Sequence, residues 1–342
     1  MPLTYTPRKR FSPQEYAQAI LAGDRIMLSR AITLIESKLP SDVALAEKVL
    51  EIILPHTGNS LRVGITGVPG VGKSTFIESF GKLITGMGKK LAVLTIDPSS
   101  QRSKGSILGD KTRMESLAND PMAYIRPSAS GATLGGVNNK TRETMLLCEA
   151  AGYEVILIET VGVGQSETTV AEIADFFLLL MLAGAGDELQ GIKKGIMEMA
   201  DALVITKADG DNVTMSQMAA REYANAMRLF PAQDSGWEPE VLTCSSVEQR
   251  GLDAVWDVIV RHHELMCQTG YFQAKRMEQN IAWMNEIIDY YLKYDFLHAP
   301  AVSEVLDFTQ HQVESGKLPA ITAAKRLLER FRGKSAEGAD EK

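Results

Sequence analysis

From residue 61 onward the chain alternates between short, nearly continuous apolar runs and amphipathic stretches of helical period. The runs are LRVGITG, KLAVLTID, YEVILIET, DFFLLLML, ALVITKAD and EVLTCSS. Segments so short and so uniformly apolar are strands covered on both faces. Their alternation with helices predicts an α/β fold with a mostly parallel central sheet flanked by helices. In that class the strand-to-helix loops open at the carboxyl ends of the strands, so chemistry should gather there.

The first sixty residues carry a different pattern. Ser12, Pro13 and Glu15 supply an N-cap, a proline at the first helical position and a capping box. Apolar positions at Ile26, Leu28, Ile32 and Ile35 predict a second helix stopping near Pro40, and Val43, Leu45, Val49 and Ile52 a third stopping before Pro55. After Gly270 the strand signals cease. Two helical stretches, 272–296 and 301–332, precede the polar tail GKSAEGADEK, which reads as disordered. The expected organisation is a helical layer over 1–60, the sheet domain over 61–270 and a helical arm over 271–342. Neither arm helix is long enough to fold alone, so each must pack on the sheet domain or on another subunit.

Composition narrows the partners. In 342 residues, 36 basic side chains stand against 43 acidic ones, a formal charge of −7 that would repel a phosphate backbone, so no nucleic-acid partner is expected. No apolar run approaches the roughly 20 residues of a membrane span, because the run from Phe176 fades into glycine and Asp187, and no membrane partner is expected. Arg8, Lys9 and Arg10 are not followed by the apolar segment of a secretory signal. Cys148, Cys244 and Cys267 are isolated from one another and from the histidines, which predicts a reducing, cytoplasmic setting and no zinc site.

Gly67-Val68-Pro69-Gly70-Val71-Gly72-Lys73-Ser74 matches G-x-x-x-x-G-K-[ST]. It follows the apolar run at 61–66 and precedes, from Thr75, the amphipathic TFIESFGKLI. Glycines let such a loop wrap closely, several N–H groups aim at phosphates, and the helix N-terminus adds partial positive charge. Lys73 should bridge the β- and γ-phosphates, and Ser74 should present its hydroxyl to Mg²⁺. Asp97 and Glu159 end apolar runs and are placed to reach the metal. Asp110, with no strand to place it, reads on its own as a turn residue.

Thr206-Lys207-Ala208-Asp209 ends a later run, one residue away from the N-K-x-D element that selects guanine. A carboxylate at Asp209 can accept from both N1 and N2 of guanine, whereas adenine would leave it desolvated and unpaired. Lys207 would lay its stem across the base, and Ser245, Ser246 and Val247 would offer backbone N–H groups to the base oxygen. Thr206, shorter than asparagine, makes fewer bonds and predicts a looser pocket. Glu159-Thr-Val-Gly162 is a variant D-x-x-G element, with Gly162 free to turn toward the γ-phosphate. Val163 follows where fast relatives place glutamine, and Gln165, two residues on, reads as a plain loop side chain. Slow intrinsic GTP turnover is therefore expected.

The segments DPSSQRSKGSILGDKTRM, RPSASGATLGG, KTRETMLLCEAAGYEVILIETVGVGQSE and GAGDELQGIKKGIMEMAD are more particular than a phosphate loop requires, and they resemble the MeaB/ArgK family of P-loop GTPases. The resemblance runs from about Gly23 to Gly270, with the flanking helices fitting more loosely. It implies a homodimeric, GTP- and Mg²⁺-dependent chaperone that gates cofactor loading into, and protects, an adenosylcobalamin-dependent acyl-CoA mutase, typically methylmalonyl-CoA mutase. It also implies a dimerisation role for the C-terminal arm. By position it assigns the metal and catalytic set to Lys73, Ser74, Asp97, Asp110 and Glu159, and a mobile loop to Asp187, Gln190 and Lys193. The competing reading is a small-molecule kinase of the arginine/ornithine transport type, whose acceptor site would have to lie in a loop at 126–140. Arg126 there would line either a partner surface or that site. Trp256 and Trp283 read as core or dimer contacts.

Overall fold

The computed structural model describes residues 11–96, 114–127, 134–160, 166–184, 194–231 and 233–333. Arg8, Lys9, Arg10 and the C-terminal tail from Lys334 lie outside them. The chain divides into two compact units, up to Gln279 and from Asn280.

The first unit is built on seven strands: β1 (Leu61–Gly67), β2 (Leu91–Ile96), β3 (Ala123–Pro127), β4 (Val155–Thr160), β5 (Phe176–Met181), β6 (Ala202–Ile205) and β7 (Glu240–Thr243). They form one sheet in the order β3-β2-β4-β1-β5-β6-β7, every neighbouring pair parallel. The chain leaves β1 toward one edge, returns through β4, and then builds outward on the other side. The resulting reversal beside β1 opens a crevice at the carboxyl ends of β4, β1 and β5.

β5 shows why its sequence reads as an unbroken apolar run. Phe177, Leu179 and Met181 point into one hydrophobic cluster, and Phe176, Leu178 and Leu180 into a second cluster on the opposite face. The first cluster is closed by α1 (Pro13–Leu21), α2 (Arg25–Glu36), α3 (Pro40–Ile53) and α6 (Leu134–Ala150). The second is closed by α4 (Lys73–Gly86), the short α5 (Glu115–Ala118) and α10 (Leu252–Thr269), with Phe76 and Phe80 stacked at 5.1 Å and Trp256 packed against Phe80. Trp256 is therefore a core residue. α7 (Ser166–Ile173), α8 (Lys194–Glu198) and α9 (Val213–Met227) complete the connections.

Local chemistry sets the N-terminal helices as expected. Ser12 and Glu15 form the reciprocal capping box of α1, and Asp24 caps α2 by accepting from the N–H groups of Ile26 and Met27. α2 then covers the exposed margin of β3. Arg25 donates to the carbonyls of Pro121 and Ala123, Ser29 meets the Tyr124 hydroxyl at 3.0 Å, and Arg126 pairs with Glu36 at 2.5 Å.

Three expectations are corrected. β3 is a strand that the apolar pattern does not reveal, since Arg126 and Pro127 follow only three apolar residues. Of the expected loop at 126–140, Arg126 and Pro127 belong to β3 and residues 134–140 to α6, while 128–133 lie outside the described residues. The second arm stretch is two helices, α12 (Pro300–Glu314) and α13 (Ala320–Phe331), separated by a turn in which Gly316 takes φ 70°. In the second unit these pack on one another, and Phe296 of α11 (Tyr271–His298) meets Phe331 edge-on at 5.3 Å.

Candidate nucleotide site

The phosphate loop leaves β1 at Gly67, where a β-carbon would collide with the backbone carbonyl of Leu180 in the neighbouring β5, so no other residue fits without displacing a strand. It enters α4 through Gly72, whose φ of 91° is left-handed and favours glycine. Between them the chain turns tightly enough for Val71 N–H to reach the Val68 carbonyl. Lys73 opens α4 and folds back over the loop, its Nζ 2.7 Å from the Gly67 carbonyl and 3.3 Å from that of Val68. A positive charge thus stands over the glycine-rich turn at the positive end of a 14-residue helix.

Glu159 is next to last in β4, level with Ile65 of β1 on one side and Thr95 of β2 on the other. It is 6% exposed, and the Ser74 hydroxyl donates toward it at 3.4 Å. Thr66 and Thr160 share a hydrogen bond of 2.9 Å between the same two strands. Hard oxygen donors from β4 and from the first turn of α4 therefore converge beside the phosphate loop, a donor set that suits Mg²⁺. Asp97 and Asp110 of the expected metal set lie outside the described residues, as do Gly162, Val163, Gln165, Asp187, Gln190 and Lys193.

The loop after β6 faces this one. Thr206 is buried, and its hydroxyl donates to the Val71 carbonyl at 2.8 Å. Lys207 takes φ 55°, unusual for a side-chain-bearing residue, while its carbonyl accepts from Asn212 at 2.7 Å. Its Nζ donates to the Gly70 carbonyl at 2.8 Å, drawing its stem across the phosphate loop. Asp209 accepts from the Ser245 hydroxyl at 2.6 Å. Ala208 N–H reaches the Cys244 carbonyl at 3.0 Å, joining this loop to the one after β7. The Cys244 thiol is pushed up to about 12 by burial and by the neighbouring Asp209 charge, so it stays neutral and acts as packing.

Two expectations change here. Ser245 N–H closes on the Arg250 carbonyl at 2.9 Å, so this residue contributes its hydroxyl, as a brace for Asp209, rather than an N–H for a base. Thr206 is a tether rather than a loss, because a short hydroxyl suffices to reach Val71. Sequence reasoning also missed Ser79, whose hydroxyl holds the Ser246 carbonyl at 2.9 Å and fixes the loop carrying Ser246 and Val247 to α4. A serine on a helix face gives no signal of that role. Arg126 is committed to Glu36 of the helical layer, which removes it as a ready acceptor-site group.

Comparison with known proteins agrees with this geometry. The family model for methylmalonyl Co-A mutase-associated GTPase MeaB matches residues 28–301. A Caulobacter vibrioides protein named as a GTPase is 51% identical over 91% of this chain and 95% of its own. GTPase ArgK of Escherichia coli is 48% identical over 80% of this chain and 82% of its own. The mouse mitochondrial methylmalonic aciduria type A homolog is 43% identical over 95% of this chain and 81% of its own. A crystal structure described as a LAO/AO transport system kinase superposes with a TM-score of 0.75 at 38% identity, covering 94% of this chain and 97% of that one.

Proposed function

The chain belongs to the MeaB family of methylmalonyl-CoA mutase-associated GTPases, and from that premise we propose that it is a GTP-dependent chaperone for an adenosylcobalamin-dependent acyl-CoA mutase. It binds GTP with Mg²⁺, hydrolyses it slowly on its own, and is stimulated by its partner. Its nucleotide state gates cofactor loading and protects the mutase. The observation that carries the nucleotide reading is Asp209, a carboxylate held by Ser245 on a loop whose Thr206 and Lys207 both bond to the phosphate loop. That arrangement suits a ligand with a base at one end and phosphates at the other.

In this reading the backbone N–H groups of the loop at residues 67–75, Pro69 excepted, and the Lys73 ammonium hold the phosphates, and Ser74 with Glu159, joined by Asp97 and Asp110, would hold the metal. Mg²⁺ supplies charge neutralisation on the phosphate oxygens as negative charge moves to the leaving group. Lys73 contributes a second positive charge at those oxygens without needing to move far, since it already lies over the loop. Gly162 and the loop of Asp187, Gln190 and Lys193 form the proposed switches. Val163 cannot orient water, which is the physical reason for slow turnover.

Calorimetry with Mg²⁺ should show GTP bound at least about tenfold more tightly than ATP, and a non-hydrolysable GTP analogue should change recovery of a cobalamin-dependent mutase from cell extract. Equal binding of the two nucleotides would end the guanine reading. Recovery of no such mutase in either state would end the chaperone reading while leaving the GTPase. The kinase reading gains nothing from the structure, because Arg126 is paired and residues from Leu134 are helical.

We also propose that the arm makes a homodimer. Ile281, Met284, Ile288 and Tyr291 follow the three-and-four spacing of a helix seam, and each is at least 45% exposed. Sedimentation at micromolar concentration should give twice the 37.4 kDa chain mass, and Ile281→Glu with Ile288→Glu should halve it. A wild-type monomer would refute the proposal.

A further inference from the structure

We propose that Cys267 and His263, near the C-terminal end of α10, form a two-ligand site for a borderline or soft divalent cation of the Zn²⁺ class. It is separate from the nucleotide site, whose hard oxygen donors suit Mg²⁺. Sequence spacing predicts cysteines that stand apart from the histidines. The structure sets Cys267 beside His263, because four residues along the chain are one turn of a helix.

One face of α10 belongs to the core: Val255, Ile259, His262 and Met266 are buried. His263 and Cys267 lie one position further round, His263 half-buried and Cys267 exposed. The Cys267 Sγ stands 3.7 Å from Nε2 of the His263 ring and 3.9 Å from its Nδ1. Phe272, just past the helix end at Gly270, meets that ring edge-on with centroids 5.0 Å apart and helps to hold it beside the sulfur. Cys267 alone of the three cysteines is exposed. Cys148 and Cys244 are buried, and burial pushes both thiols up, so neither readily yields a thiolate.

A tetrahedral cation with bonds of about 2.3 Å to sulfur and about 2.0–2.1 Å to nitrogen separates those two atoms by roughly 3.5 Å. The pair already stands near that bite, and a turn of the imidazole about its own bond, a torsion with broad wells, aims one nitrogen at the metal. On binding, the Cys267 S–H bond breaks, its proton leaves to solvent, and the sulfur and the ring nitrogen each donate an electron pair to the cation. Thiolate with imidazole favours Zn²⁺ over Mg²⁺. Among the described residues no third histidine, cysteine, aspartate or glutamate completes the set. Two positions therefore stay open to water or a further ligand, and affinity should fall well short of that of a closed four-ligand site.

The probe is Cd²⁺, a thiophilic stand-in for Zn²⁺ whose bond to a thiolate gives a charge-transfer absorption in the ultraviolet. It is titrated into the full chain, reduced with a phosphine, in excess Mg²⁺ so that oxygen donors near the phosphate loop are occupied. The band should saturate at one equivalent per chain with a dissociation constant on the order of 1–100 µM, and Zn²⁺ should displace it. Cys267→Ser should abolish the band, as should alkylation of wild-type Cys267 with iodoacetamide, which needs no substitution. His263→Ala keeps the thiol and should weaken Cd²⁺ at least about tenfold, since partners one shell further out are already worth that much. Should the alanine variant fail to fold, His263→Gln is read by the same titration. A band that survives loss or alkylation of Cys267, equal Cd²⁺ affinity in the histidine variant, or no saturable band in wild type overturns the proposal.

Discussion

Lys73→Ala should lower the rate of GTP hydrolysis by roughly a hundred- to a thousandfold, the usual cost of removing one preorganised donor from a site of developing negative charge. The ammonium reaches two backbone carbonyls of the phosphate loop, Gly67 and Val68, and is 9% exposed. In the proposed GTP complex its charge would stand near the reacting oxygens in a region from which water is largely excluded, where it would act more strongly than in bulk solvent. Lys73→Arg should not restore the rate, because a planar fork cannot occupy the position of a compact ammonium against those carbonyls. Single-turnover phosphate release, with thermal melting as the control for folding, reads the effect. A folded alanine variant keeping more than about a tenth of the wild-type rate would remove Lys73 from the chemistry.

Arg276→Met should destabilise the first unit by about 3–5 kcal/mol, the range for breaking a buried ion pair on one side. Its guanidinium takes both oxygens of Asp175, at 2.9 and 2.7 Å, and also donates to the carbonyls of Gly58 and Ser60. Glu149 stands 4.0 Å away, already bonded to Arg62 Nε and to Gly58 N–H. The Asp175 and Glu149 side chains are 3% and 1% exposed, so without Arg276 Glu149 retains the Arg62 guanidinium while Asp175 is left with the Arg62 backbone N–H in place of a paired cation. Methionine retains much of the packing on Phe272, over which the guanidinium lies at 4.3 Å, and isolates the charge. Urea denaturation measures the loss. In the double variant with Asp175→Asn the two effects should fall well short of adding, since removing the orphaned charge relieves part of the penalty. A single-variant loss below about 1 kcal/mol would mean that the network relaxes into solvent.

The contrast between these two residues explains what was legible in advance. Lys73 announces itself because the phosphate loop is local: eight consecutive residues, a strand before and a helix after, and the purpose of each side chain follows from spacing alone. Six of the seven strands are equally local, since burial on both faces leaves an apolar run that needs no partner to be recognised. β3 escaped because its outer margin is closed by polar contacts from α2, through Arg25, Ser29 and Glu36, and not by an apolar signature of its own. Arg276 escaped because its partners lie 101 to 218 residues away in sequence, and nothing in the residues near it foretells them. Thr206 was seen and misread: substitution by a shorter side chain reads as a weaker bond until the Val71 carbonyl is found within its reach.

The strand order has a consequence for the time at which the cradle comes into being. β1 has β4 on one side and β5 on the other, so the strand that delivers Gly67 lacks its second neighbour until β5 has been added to the growing chain. The close approach that requires glycine at Gly67 is made by Leu180 of β5. A nascent chain released only as far as the end of β4 has the full phosphate motif in its covalent structure but only one wall of the groove, and contacts across such separations form late. The second wall of the phosphate loop is thus added only after more than half of the polypeptide has been made.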